Sequence, residues 1–142
     1  VYWSWWITPE VEPRRYDTRF FVAVVDSSTV GEHDNAETVE SAWWKPLDAL
    51  KRFEEGEILL APPTARTLQE LLEYSTTEEA MEAGRQRRTP QIEPRLHMGD
   101  DGVLVVVLPG DPEFPAEVSV EGPTRMHLRY AQPWLDRDKV GE

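Results

Sequence analysis

Short runs of apolar residues alternate along the chain with polar segments that contain proline. These runs lie at residues 2–7, 18–26, 38–46 and 103–108. Aromatic and β-branched residues dominate them, so each run predicts a β-strand. The run at 18–26 shows no alternation of polar and apolar positions, and we expect a central strand that is covered on both faces. The Asp101-Gly102 pair precedes the last run and predicts the tight turn of a β-hairpin.

Three helices are predicted in the middle of the chain. The first begins near Pro46 and ends at Gly56, because proline is tolerated in a first turn and glycine suits the position after a helix. The second has Thr64 as its predicted N-cap. The stripe expected to be buried on this helix consists of Leu68, Leu71 and Leu72. The third helix begins with Thr76-x-x-Glu79, which is a capping-box pattern.

Composition and charge narrow the range of partners. The chain has 142 residues, a length that suits one domain or one domain with a tail. Its net charge of −12 disfavours nucleic acid and anionic membrane surfaces. No apolar run approaches the length of a membrane span. The chain has no cysteine, which excludes disulfides and thiolate metal ligands, and we expect a cytoplasmic protein.

An acidic segment is the first candidate for chemistry. Glu32, His33, Asp34, Glu37 and Glu40 lie within nine residues. Carboxylate oxygens of this kind suit Mg²⁺ or Mn²⁺, and a loop carboxylate could act as a general base. The alternative is a solvated acidic loop in an acidic protein, and the spacing matches no calcium-binding loop.

A basic and aromatic cluster, RRYDTRFF, is the second candidate. Arg14, Arg15 and Arg19 stand beside three aromatic rings in this segment. The guanidinium group of arginine pairs with phosphate oxygens, and an aromatic ring can stack on a nucleotide base. The alternative is surface ion pairing, in which the arginine stems lie over the end of an aromatic strand.

The remaining polar motifs predict no further chemistry. His33, His97 and His127 are far apart, and no Ser-His-Asp order or glycine-rich phosphate loop is present. The segment VLPGDPEFP at residues 107–115 lacks the glycines and the lysine of a nucleotide-binding loop. We therefore predict that it is a structural turn.

Five segments, in this order, resemble the Nudix hydrolases, in particular the branch that contains the coenzyme A diphosphatases. They are Trp6–Pro9, Arg15–Phe21, Glu32–Glu40, Trp43–Pro46 and Pro62–Thr64. The resemblance covers roughly residues 2–74. It implies an α+β fold of the α/β/α sandwich type, in which helices flank a mixed β-sheet.

The resemblance also implies a domain organisation. Residues 1–75 correspond to the C-terminal half of a Nudix-like domain, and residues 76–142 form an extension with a surface helix, a β-hairpin and short strands. This extension could cap the sheet, form the contact of a homodimer or shape the path of the substrate, and the sequence does not choose among these.

The catalytic signature of the Nudix family, the Nudix box, is not found in the chain. Its best register ends on Gly84 and places Glu78 and Glu82 on signature positions, but only three positions fit. In the family the box precedes the Trp-x-Thr-Pro segment. We therefore expect a Nudix half that carries the main metal ligands, on the same or on a second chain.

The resemblance implies a Mg²⁺- or Mn²⁺-dependent pyrophosphohydrolase that acts on a nucleoside-diphosphate-linked substrate, such as coenzyme A or another nucleotide. In several Nudix branches a base comes from a loop outside the box. Glu37 and Glu40 are therefore the candidates for a catalytic base or an additional metal ligand.

The expected substrate contacts lie in two other segments. Arg15 and Arg19 would face phosphate, and Phe20 and Trp44 would contact the nucleotide. The alternative function is a non-catalytic module that holds a ligand or a partner chain, with the aromatic run at residues 2–7 as a buried strand of the interface. A chance likeness of an ordinary α+β domain is the third interpretation.

Overall fold

The computed structural model describes residues 1–10, 14–31, 41–100 and 102–128. In chain order, its elements are β1 (Tyr2–Ile7), β2 (Asp17–Phe21), α1 (Pro46–Glu54), α2 (Pro62–Leu71), α3 (Thr77–Gln86), β3 (Gln91–Ile92), β4 (Arg95–Met98), β5 (Leu104–Val107) and β6 (Arg125–Leu128). The fold is α+β, and a mixed sheet is combined with helices as the sequence predicts.

The first sheet has the strand order β2-β1-β3. Strand β1 is antiparallel to β2 and parallel to β3, so this sheet is mixed. Two of the three tryptophans of β1 serve as core residues, because Trp3 and Trp6 are almost fully buried. The aromatic run at the start of the chain is therefore an internal strand of its sheet.

The second sheet is antiparallel, in the order β4-β5-β6. Every residue of β5 is buried, which confirms the buried strand that the valine run predicts. The hairpin between β4 and β5 is also confirmed. Gly102 adopts a positive φ of 76° in its turn, and the Gly99 amide donates to the Val103 carbonyl over 2.9 Å.

One hydrophobic core joins the two sheets. Its buried members are Trp6, Ile92, Leu104, Val106, Leu108, Met126 and Leu128. Residues from β1 and β3 of the first sheet thus pack against β5 and β6 of the second. Because burial of apolar surface is the main source of stability, this shared core fixes β1 and its following loop in place.

The helices begin and end largely as the sequence predicts. Helix α1 begins at Pro46, and Gly56 follows it with a φ of 77°. At the start of α3, the Glu79 amide donates to the Thr76 Oγ1 over 3.2 Å, which is the predicted cap. Among the described residues, no helix has the length and apolarity needed to cross a bilayer.

The predicted start and buried face of α2 are wrong. The helix begins at Pro62, and its N-cap is Ala61, three residues before the threonine that we expected to cap it. The fixed φ of proline favours the first turn of a helix, so Pro62 and Pro63 define its start. The buried face contains Ala65 and Arg66. The leucines contribute less, because Leu68 and Leu71 are half-buried and Leu72 is exposed.

The prediction of a covered central strand at residues 18–26 is also wrong. Strand β2 ends at Phe21 and pairs only with β1 among the described residues. Asp17 and Arg19 lie on one face of this strand and form an exposed ion pair, which keeps that face polar. Residues 41–45, where another strand was predicted, contain no strand and lead directly into α1.

Candidate functional site

An open groove of about 670 Å³ is formed where three chain segments meet, and Pro94 and Leu96 from a fourth segment also line it. Its walls come from the end of β1 and the loop that follows, from one face of β2, and from the start of α2. Its principal lining residues are Trp6, Thr8, Tyr16, Phe20, Pro62 and Pro63. These three segments coincide with three of the five segments that carry the Nudix resemblance.

The first wall is held in place by backbone hydrogen bonds around Thr8. The Thr8 amide donates to the Tyr16 carbonyl over 3.0 Å, and the Tyr16 amide donates to the Thr8 Oγ1 over 3.0 Å. This reciprocal pair closes the loop between β1 and β2. The Thr-Pro segment is therefore a fixed edge of the groove.

Arg15 supports this loop from outside the groove. Its Nε donates to the Thr8 carbonyl over 2.9 Å, and its Nη2 lies 2.5 Å from the Glu93 Oε1. Glu10 lies farther away, at 3.7 Å from Nη1. Arg15 was predicted to face phosphate, and its guanidinium is engaged with the protein itself in this structure.

Arg14 is the cation that lines the groove. No residue in the described part of the chain forms a hydrogen bond or ion pair with its side chain. Sequence reasoning placed Arg14 in the basic cluster but did not select it as a site residue. The two adjacent arginines could not be told apart by type, because the loop geometry decides which of them faces the groove.

Arg19 and Phe20 were both predicted to contact the substrate, but they lie on opposite faces of β2, because successive side chains of a strand alternate between its faces. Phe20 is half-buried and lines the groove, whereas Arg19 lies on the opposite face of β2. There the Arg19 Nη1 lies 2.8 Å from the Asp17 Oδ1, and its guanidinium stacks over the Trp5 ring at 4.6 Å. The structure therefore brings Phe20 to the groove and places Arg19 outside it.

Trp44 lies in the segment before α1 and does not line the groove. It is 44% exposed, and the guanidinium of Arg52 lies 5.0 Å from the centre of its ring. Its predicted role in binding a nucleotide remains a prediction.

The predicted catalytic residues Glu37 and Glu40 lie outside the described residues. Within residues 1–10, 14–31, 41–100 and 102–128, no group of three His, Asp or Glu side chains is arranged to hold a metal ion. The described residues therefore form a candidate binding groove, and the expected metal site stays a prediction.

The segment at residues 107–115 is a structural turn, as the sequence predicts. Asp111 is 2% exposed and accepts hydrogen bonds from Arg125 Nε and Nη2 over 2.8 and 2.7 Å. Thr124 and the Glu113 amide donate to the same carboxylate. The Arg125 guanidinium, aided by these donors, holds the pKa of Asp111 well below its usual range.

The first half of the chain matches a known family. Residues 1–71, which are half of the 142 residues, match the family described as the NUDT19 Nudix domain. This match includes the three segments that form the groove. No solved structure is significantly similar to the chain.

Three curated relatives are called acyl-coenzyme A diphosphatase NUDT19. The chain is 30% identical to the Xenopus laevis protein over 84% of the chain and 33% of that protein. It is 30% identical to the Gallus gallus protein over 98% of the chain and 39% of that protein. It is 31% identical to the Homo sapiens protein over 77% of the chain and 30% of that protein. The chain thus spans about a third of the length of these relatives. The match over half of its residues shows that the chain belongs to the NUDT19 Nudix domain family.

Proposed function

We propose that this chain supplies the substrate groove of a Nudix pyrophosphohydrolase that acts on acyl-coenzyme A or a related nucleotide. The observation that carries the proposal is the meeting of the three family segments at one groove, which Arg14 also lines. The names of the relatives favour an acyl-coenzyme A substrate.

The lining of the groove suits a molecule with apolar and anionic parts. Trp6, Tyr16 and Phe20 offer aromatic surface for a base or an acyl chain. Arg14 can pair with a phosphate oxygen, since its guanidinium has no partner among the described residues. A volume of about 670 Å³ lies within the range of about 300–1,000 Å³ that small-molecule sites occupy.

The reaction proposed is attack of water on one phosphorus of the diphosphate, which breaks the phosphoanhydride bond and releases two phosphomonoesters. A bound Mg²⁺ or Mn²⁺ would stabilise the negative charge on the phosphate oxygens. Glu37 or Glu40 would accept the proton of the attacking water or add a metal ligand. Arg14 would hold the diphosphate beside the aromatic wall of the groove.

The proposal is tested by assaying the full-length protein with Mg²⁺ or Mn²⁺ against acyl-coenzyme A, coenzyme A, NADH, ADP-ribose and diadenosine polyphosphates. We expect metal-dependent hydrolysis, with acyl-coenzyme A or coenzyme A as the best substrate. Glu37→Gln or Glu40→Gln should lower kcat at least about tenfold, which corresponds to about 1.4 kcal/mol of activation free energy. Glu73→Gln changes an exposed glutamate on the segment after α2 and serves as the matched control.

Two results would contradict this proposal. The absence of metal-dependent hydrolysis with every substrate would reject the pyrophosphohydrolase. A normal kcat in both glutamine variants would reject the acidic segment as the source of the base.

A second candidate function is a binding or assembly module without turnover, and the exposed apolar surface of the first half favours it. Phe21, Val24, Val25 and Trp43 are each between 51% and 68% exposed. Such a surface suits contact with another strand or chain. Intact-mass and light-scattering measurements on the purified protein would show whether a second polypeptide or a second copy accompanies it.

A further inference from the structure

A second, smaller cavity of about 280 Å³ lies beside β1, next to the end of α3 and a later loop. Trp3 and Glu70 form its inner part, and Ser119 contributes from the loop. Arg87 and Arg88 contribute from the end of α3. This cavity lies outside the groove described above, and its charged lining residues are two arginines and two glutamates, Glu70 and Glu121.

A buried arginine, Arg66, and a half-buried one, Arg87, share the Glu70 carboxylate that lines the cavity. The Glu70 side chain accepts from Arg66 Nε over 2.9 Å, from Arg87 Nη2 over 3.0 Å and from Trp3 Nε1 over 2.7 Å. The arginine side chains are only 4% and 19% exposed. The Arg87 guanidinium therefore shares its carboxylate partner with Arg66.

The two arginines differ in how completely their donors are used. Arg66 also donates to the carbonyls of Glu121 and Pro123, so its guanidinium is well satisfied. The guanidinium of Arg87 stacks over the Trp3 ring at 4.3 Å. Its Nε is buried and has no hydrogen-bond partner among the described residues. A buried donor without an acceptor is rare in folded proteins and indicates a bound ligand or water.

Three further residues make the cavity suitable for an anion. Arg88 lines it, is exposed, and has no partner in the described part of the chain. Ser119 and Thr89 also line it and carry hydroxyl groups that can donate to an oxyanion. Two guanidiniums and two hydroxyls around a small cavity match the several acceptor oxygens of a phosphate group.

Capping of α3 does not account for these arginines. Basic residues do favour the C-terminal end of a helix, and Arg85 in the last turn pairs with Glu82. The cap itself is made by the Arg87 amide, which donates to the Ala83 carbonyl over 2.9 Å. The Arg87 guanidinium instead turns towards β1, where it contacts Trp3.

We propose that this cavity binds a small oxyanion of the phosphate class, held by Arg87, Arg88 and Ser119. The site is independent of turnover and lies near the groove along the same strand. Trp6 Nε1 donates to Ser4 Oγ over 3.1 Å, and Ser4 lines the cavity while Trp6 lines the groove. The anion can therefore be free inorganic phosphate or a phosphomonoester carried by a nucleotide.

The test is calorimetric titration of the full-length protein with inorganic phosphate, without divalent metal and at fixed ionic strength. We expect saturable binding of phosphate with a Kd below about 10 mM. Arg88→Ala should raise Kd at least about tenfold, and Arg87→Lys should weaken binding because lysine lacks the Nε donor. Arg52→Ala, which removes an exposed arginine from α1, should leave Kd within about twofold.

Two results would contradict the proposal that this cavity binds an anion. They are the absence of saturable binding by phosphate, and a Kd that Arg88→Ala does not change. Because Arg88 is exposed, its replacement should leave the circular dichroism spectrum and the Tm unchanged. The loss of phosphate binding in this variant is therefore distinguishable from unfolding.

Competition identifies the source of the anion. Coenzyme A is compared with dephospho-coenzyme A, which lacks the phosphomonoester. If coenzyme A displaces phosphate much better, the site binds the phosphomonoester of the substrate. Displacement by neither compound supports free phosphate as the ligand. Hydrolysis without phosphate binding would reject this site alone, whereas phosphate binding without hydrolysis would reject the proposed activity alone.

Discussion

Strands β2 and β5 occupy opposite environments in the same small protein. All four residues of β5 are buried, whereas β2 has four exposed residues and one that is half-buried. Strand β5 is entirely apolar, whereas β2 has three polar residues and two phenylalanines, of which Phe21 stays 68% exposed. The difference shows that β5 buries all its side chains in the protein interior, whereas β2 leaves apolar surface open for a ligand or a partner.

Charged side chains show the same contrast. Asp111, beside the second sheet, accepts hydrogen bonds from Arg125, Thr124 and the Glu113 amide. Arg87, beside the first sheet, retains a buried donor without a described partner. The polar cluster of the second sheet is satisfied within the chain, and the cluster of the first sheet has capacity for a ligand.

The largest expected effect is on the core of the second sheet. Leu108→Ala removes a fully buried side chain just after β5 and should lower the free energy of unfolding by about 2–5 kcal/mol. Phe21→Ala on β2, where the ring is 68% exposed, should lower it by less than about 1 kcal/mol. Urea unfolding of both variants measures this difference. Equal losses would show that the two strands are buried alike in solution.

The second prediction concerns the acid stability that Asp111 provides. Its folded pKa lies below the value of about 3.9 of an unfolded chain, because the Arg125 guanidinium stabilises the charged form. This contribution is complete above about pH 4 and is lost as the pH falls through the folded pKa. The Asp111→Asn variant should therefore be less stable than the wild type near neutral pH, and the difference should shrink below about pH 4.

Urea unfolding at a series of pH values measures this convergence. Asp100→Asn, which changes an exposed aspartate, is the matched control. A difference between wild type and Asp111→Asn that stays constant down to about pH 2 would be inconsistent with the predicted titration.

The third prediction concerns the edge of the groove. Arg15→Ala removes the hydrogen bond to the Thr8 carbonyl and the ion pair with Glu93, and should cost about 1 kcal/mol of unfolding free energy. Arg52→Ala breaks a similarly exposed pair with Glu57 but frees no loop carbonyl, so its cost should be smaller. If the two variants lose the same stability, Arg15 does not hold the loop.

The sequence predicts local structure well where the signal is local. The proline and glycine at the two ends of α1, the cap of α3 and the hairpin before β5 depend on a few neighbouring residues, and all are found. The family resemblance is confirmed by the match over residues 1–71. The expected cytoplasmic location, the homodimer and the boundary near residue 75 stay predictions.

Features that depend on packing could not be predicted in the same way. The run at residues 18–26 is apolar enough for a central strand, but tertiary pairing decides which of its faces is covered. Arg15 faces the protein and Arg14 the groove because of the loop conformation. Arg66 and Glu70 are four residues apart on α2, but Arg87 joins them only after α3 packs beside β1, so the cluster of three has no local signal in the sequence.

The most direct test of the groove compares two arginines from the same short segment. Arg14 lines the groove, and Arg19 lies on the opposite face of β2. Binding of coenzyme A to the full-length protein, without divalent metal so that no turnover occurs, is measured for Arg14→Ala and Arg19→Ala. We predict that Arg14→Ala raises Kd about fivefold, or about 1 kcal/mol, and that Arg19→Ala changes it less than about twofold. A larger effect of Arg19→Ala, or no effect of Arg14→Ala, would contradict the assignment of this groove as the substrate site.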